Sequence, residues 1–245
     1  MFGVDGMPET RPGDDLVGQV ADAIRSSGET LLADDVVVVT HKIISKAEGR
    51  LVDLRQIEPS PFAVHLASLA GKDARQIEVV LRESVRIVKM NLGVIICETR
   101  HGFICANAGV DASNVAEPNV VCLQPVDPNG SAERLRHGLV ERFGADVGVI
   151  VTDTFGRAWR NGVVNIAIGV AGLAPLDDYR GKVDPNAYEL RSTVIAVADE
   201  LAAAAELVMG KLARRPVAIV RGFGPLGQPG SGRELVMDPA RDLFR

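Results

Sequence analysis

Three short segments of this 245-residue chain concentrate side chains that bind phosphate or a hard cation, each just after an apolar run. The first is Thr40-His41-Lys42-Ile43-Ile44-Ser45-Lys46, following Val36-Val37-Val38-Val39. In a helix, Lys42 and Lys46 share one face, and two compact ammonium charges there could hold phosphate oxygens. A solvated surface pair would have the same spacing. The second is Ala108-Gly109-Val110-Asp111-Ala112-Ser113-Asn114. Gly109 permits close backbone approach, and the short oxygen-bearing side chains around Asp111 suit Mg²⁺, which takes one or two carboxylates plus phosphate and water. An ordinary Asx turn uses the same residues. The third is Thr152-Asp153-Thr154-Phe155-Gly156-Arg157-Ala158-Trp159-Arg160-Asn161-Gly162. Asp153 and Thr154 add a carboxylate and a hydroxyl, and the planar forks of Arg157 and Arg160 could clamp phosphate or carboxylate. A capping Asp with surface arginines is the alternative.

Polar residues just past buried strands sit on rigid supports, so the surrounding elements decide whether these segments meet. A helix is expected over 14–31, capped by Asp14 or Asp15, and a buried strand over 36–39. Residues 60–84 read as two helices broken near Gly71. Strands over 94–98 and 103–106 flank a turn at 99–102. A further strand at 120–123 leads to a helix over 131–143, with Ser131 as its cap and Gly144 just past its end. A strand over 147–152, an Ala-rich helix over 193–212 and a strand over 216–220 complete the pattern. The class is mixed α/β with two intimately packed lobes, and the pattern does not order the strands. Residues 1–221 form the expected domain. The Gly/Pro-rich tail 222–245 reads as mobile loop, or as a junction to a second domain.

Composition excludes several functions. A formal charge of −5 with no Lys/Arg-rich run disfavours nucleic acid. No leader is apparent and no apolar run approaches the ~20 residues of a membrane span, so a soluble cytoplasmic protein is expected. Cys97, Cys105 and Cys122 lie in apolar surroundings without CxxC spacing, as expected of reduced, buried thiols. The chain contains no GxxxxGK[ST] loop or GxSxG elbow, and Gly222-Phe223-Gly224, which looks like a dinucleotide turn, lies in a Pro-rich tail after the last expected strand and reads as loop.

Taken together and in order, these segments resemble the coenzyme F420-0:L-glutamate ligase family. Gly6-Met7-Pro8-Glu9, Arg11-Pro12-Gly13-Asp14-Asp15-Leu16, the run from Val36 through Lys46-Ala47-Glu48-Gly49-Arg50, and the second and third segments above all carry the likeness. So do Asp178-Tyr179-Arg180-Gly181, Val197-Ala198-Asp199-Glu200-Leu201 and Pro216-Val217-Ala218-Ile219-Val220-Arg221-Gly222. The resemblance implies a homodimer that uses GTP and two Mg²⁺ or Mn²⁺ ions, sometimes with K⁺, to join L-glutamate to F420-0. It implies that Met7, Pro8, Glu9, Thr10, His41, Lys46 and Asn114 contact GTP, that Asp111 and Asp153 hold one metal, and that Thr154 ligates a second. Lys46 and Arg157 would act directly on phosphate charge. A related ligase with another carboxylate acceptor, and a non-catalytic nucleotide-binding subunit, are the alternatives.

Overall fold

A computed structural model of the protein describes residues 1–113 and 117–242. The chain opens with β1 (Phe2–Gly3) and α1 (Leu16–Ser26), whose cap Asp15 accepts the Gly18 N–H. β2 (Val36–Thr40) passes without a loop into α2 (His41–Ala47). β3 (Leu51–Asp53) precedes α3 (Pro61–Ala70) and α4 (Ala74–Glu83). Gly71, at φ 65°, ends α3 in the left-handed conformation that glycine adopts without Cβ strain. Then come β4 (Ser84–Asn91), β5 (Val94–Thr99), β6 (Ile104–Ala106), β7 (Val120–Cys122), α5 (Pro128–Phe143), β8 (Gly148–Arg157) and β9 (Arg160–Ala171). The short pair β10 (Asp177–Asp178) and β11 (Val194–Ile195), α6 (Val197–Met209) and β12 (Val217–Val220) complete the order.

The main sheet runs β1-β12-β2-β8-β9. Only β2 and β8 are parallel neighbours, in register from Val36↔Gly148 to Thr40↔Thr152. Successive strand residues face opposite sides, so the four buried valines of β2 feed two cores. Val37 and Val39 pack with Ile24 of α1 and Leu135 and Leu139 of α5. Val36 and Val38 pack with Ala202, Ala205 and Met209 of α6. Layers on both faces explain why the strand is apolar throughout. A second lobe has its own core, with Leu66, Ile77, Ile95, Cys97 and Val121 buried among α3, α4 and the sheets β4-β5-β6 and β3-β7. The lobes join where Phe103 meets Phe155 edge-on at 6.2 Å between ring centroids.

Several elements differ from expectation. α5 starts a turn before Ser131, because Asp127 accepts the Gly130 N–H and Pro128 occupies the first turn, where its missing N–H costs nothing. α6 is shorter than 193–212 at both ends. β4 and β9 are additions to the expected strands. The tail also packs against the domain. Leu226 is buried in the α6-side core, and its carbonyl accepts the Ala174 N–H at 2.8 Å. Gly230 N–H donates to Leu173 O at 3.0 Å, and Gly232 N–H donates to Asn129 Oδ1 at 2.8 Å.

All three cysteines are buried and unpaired with one another, and burial pushes the Cys105 thiol up to about 12. Among the described residues, no helix is long and apolar enough to cross a membrane.

Candidate active site

Parallel strands bring the segments at their C-terminal ends to one edge of a sheet, the usual place for ligands in open α/β folds. Pairing of β2 with β8 ends at Thr40↔Thr152, so His41 and Asp153 emerge side by side. They lie in a cleft of about 660 Å³, whose wall includes Met7, Pro8, Glu9, Thr10, Lys42, Lys46, Asp111, Thr154, Asn165, Glu206 and the 209–212 stretch.

Asp153, its side chain 12% exposed, is more enclosed than Asp111 at 42%. Its Oδ1 accepts the Thr154 N–H at 2.7 Å, and its Oδ2 accepts Gln124 Nε2 at 2.7 Å. His41 Nε2 lies 3.3 Å from Oδ1 without the alignment of a hydrogen bond, while His41 Nδ1 is 3.2 Å from Ser45 Oγ. Burial would raise the Asp153 pKa. The nearby His41, with the Gln124 and Thr154 donors, outweighs burial and holds it below the usual range.

Asp111 follows the 3₁₀ turn Asn107–Gly109, in which Asn107 (φ 53°), Ala108 (φ 52°) and Gly109 (φ 72°) are all left-handed. Its backbone pairs with Cys122. Its Oδ1 accepts the Ser113 N–H at 2.7 Å, and its Oδ2 accepts Ser113 Oγ at 2.9 Å and the Lys42 ammonium at 2.6 Å. Here too burial raises the pKa, and the Lys42 and Ser113 donors bring it below the ordinary value. Both carboxylates are thus held in the anionic form. The Asx turn and the cleft position coexist at Asp111.

Lys46 is buried and pairs with Glu9, which ties α2 to the loop carrying Met7, Pro8 and Thr10. Thr10 Oγ1 donates to Gln19 Oε1 of α1 at 3.0 Å. Thr154 Oγ1 donates to Asn165 Oδ1 at 2.7 Å and accepts Lys211 Nζ at 2.5 Å. The structure therefore brings Met7, Pro8, Glu9, Thr10, His41, Lys46, Asp111, Asp153 and Thr154 to one cavity. Asn114 lies outside the described residues.

Arg157 stands apart from this cleft. It stands at the exposed far end of the β8–β9 hairpin and donates to Asn161 O at 2.7 Å. It is not among the described residues that line the cleft. The ten-residue strand β8 carries it past Asp153 and out to the hairpin tip. Three site residues escaped the sequence reading. Gln124 and Asn165 are amides within or beside apolar runs, a signal that was there to be noticed. Glu206, in an Ala-rich helix, carried no comparable signal.

Carboxylate and hydroxyl oxygens from Asp111, Asp153 and Thr154 suit a hard divalent cation completed by phosphate and water. Among the described residues, no group of three His, Cys, Asp or Glu side chains gathers to hold an ion alone, so such a cation would need oxygens from its ligand.

A family model described as F420-0:Gamma-glutamyl ligase matches residues 6–222, which defines the chain as a ligase. It is 44% identical over 248 residues to the coenzyme F420:L-glutamate ligase of Methanothermobacter thermautotrophicus, covering 100% of this chain and 98% of the relative. It is 48% identical over 242 residues to the enzyme of the same description from Methanopyrus kandleri, covering 97% and 94%. The chain belongs to the F420-0:gamma-glutamyl ligase family.

Proposed function

We propose that this enzyme uses GTP to join L-glutamate to F420-0 and further glutamate by γ-linkage, releasing GDP and phosphate. The observation that carries the reading is the convergence, in one cleft, of the buried Lys46 ammonium with two carboxylates held ionised, Asp111 and Asp153.

Amide formation requires an activated carboxyl, because a carboxylate is a poor electrophile. An oxygen of the F420-0 carboxylate attacks the γ-phosphorus of GTP, the bond to the β-phosphate oxygen breaks, and GDP leaves. The glutamate amine, freed of one proton, then attacks the acyl carbon. The nitrogen gives up its second proton to the leaving phosphate oxygen, the carbon–oxygen bond to the phosphoryl group breaks, and hydrogen phosphate departs, the first proton having gone to solvent. In this reading Lys46 sets charge against the phosphates, with the loop of Met7, Pro8, Glu9 and Thr10 positioning the nucleotide. Asp111, Asp153 and Thr154 would hold divalent cations, whose contribution when bound is neutralisation of phosphate charge.

Purified protein incubated with GTP, Mn²⁺, L-glutamate and F420-0 is expected to release GDP and yield products heavier by one or more glutamyl units in intact-mass analysis. GDP release at the same rate without F420-0, with no product of raised mass, would overturn the assignment. Activity restored by a different carboxylate would redirect it to a related ligase.

A further inference from the structure

Thr154 ends a hydrogen-bonded chain in which the Glu206 carboxylate fixes the polarity of one amide and one hydroxyl. Asn165, 2% exposed, lies within the otherwise apolar run 163–171 of β9. Its Nδ2 donates to Glu206 Oε2 at 2.8 Å, and its Oδ1 accepts the Thr154 hydroxyl at 2.7 Å. A carboxamide can usually turn over and exchange its two ends. Here it cannot, because a glutamate carboxylate offers only acceptors, so Nδ2 must face Glu206 and Oδ1 must face Thr154. The threonine hydroxyl has a single proton, and that proton is committed to Asn165. Only lone pairs of Oγ1 are left to face the cleft. The Lys211 ammonium, 2.5 Å from Oγ1, shows that a lone pair is presented where a cation can reach it.

We propose that Asn165 and Glu206 are positioning residues that hold the Thr154 hydroxyl as a pure acceptor for a cation. This inference rests on the reading of Thr154 as ligand to a second divalent ion. Glu206 acts through the direction of the Asn165 amide. Replaced by glutamine, residue 206 can offer either oxygen or NH₂, and Asn165 is then free to reverse. With Nδ2 against Thr154, the hydroxyl proton swings into the cleft and opposes the ion.

The test is Mn²⁺ binding to the full chain with a non-transferable GTP analogue, followed by electron paramagnetic resonance and calorimetry. Thr154→Val is expected to lose one of two bound ions. Glu206→Gln is expected to keep both, with the first ion unchanged and the second about tenfold weaker, the usual scale for a group that orients a metal ligand. Asn165→Leu, which removes the acceptor, is expected to show the same selective weakening. If Thr154→Val loses an ion while Glu206→Gln and Asn165→Leu bind both as the parent does, the positioning role is overturned and the metal reading stands. Loss of both ions together in Glu206→Gln would make Glu206 a scaffold residue and also overturn it. An unchanged ion count in Thr154→Val would overturn the metal reading and this inference with it.

Discussion

Asp153→Asn separates the charge of the site from its shape. The substitution preserves volume, and Gln124 is able to follow it. Gln124 Oε1 is buried with no hydrogen-bond partner, so its amide can turn over and accept from the new Asn NH₂. The flipped Nε2 then takes the place where Oε1 found no partner, so one buried donor goes unsatisfied at a cost of about 1–3 kcal/mol. What is lost is the ionic character of the bonds from Gln124 and the Thr154 N–H, about 1 kcal/mol each, partly offset by relief of the burial cost. The net destabilisation is about 2–4 kcal/mol, or a fall in Tm of about 4–16 °C for a chain of this size. Turnover should fall by at least about a hundredfold, the scale for removing a charge-stabilising group at a reacting phosphate. Because folding lowers the Asp153 pKa from 3.8, the stability it contributes is fully present above that value. It is lost as pH falls through the lower, folded-state pKa. The melting difference between the two proteins should therefore be constant near neutrality and shrink below about pH 4. Thermal melts from pH 3 to 8, with GDP release measured at pH 7.5, test both parts. An Asn variant with kcat within about twofold of the parent would refute the catalytic argument, and a melting difference that grows on acidification would refute the electrostatic one.

Gly109→Ala should cost about 1–3 kcal/mol in urea unfolding, because the added Cβ meets Gln124 Nε2 at 2.5 Å and the backbone is held at φ 72°. Pushing Gln124 away from Asp153 should lower activity as well, and a variant as stable as the parent would contradict the packing. Lys46→Met keeps the aliphatic stem and deletes the charge. It should weaken GDP binding by about tenfold or more in calorimetry, whereas unchanged affinity would remove Lys46 from the nucleotide site. Arg157→Ala, at the hairpin tip, should keep kcat/KM within about twofold, and a tenfold loss would return that arginine to the chemistry.

Much of the sheet was legible because its central strands are unambiguous. Val36 to Val39 are apolar at every position, as a strand covered on both faces must be, and the run at 147–152 repeats the pattern. Gly71 and Gly144 marked helix ends because each takes the left-handed conformation there. β4 was illegible since Ser84-Val85-Arg86-Ile87-Val88-Lys89-Met90-Asn91 mixes charge and apolar residues without clear alternation, and its register against β5 is itself irregular. β9 carried a local signal, since Val163 to Ala171 is apolar but for Asn165 and directly follows the strand it pairs with as a hairpin. In the site, residues just past the parallel strands could be read from the sequence. The side chains that hold them, Gln124, Asn165 and Glu206, arrive from elements whose proximity only the fold creates.

The strap formed by Leu226, Gly230 and Gly232 bears on how this enzyme can be shortened. Cutting after Arg221 would retain every residue of the cleft wall, yet strip the lid from Leu173 and leave the Asn129 carboxamide missing the Gly232 donor. Oily surface beside α6 would then meet solvent, and the fragment would tend to clump rather than fail at chemistry. The matched family region ends at residue 222, but the packed structure runs on through Gly232.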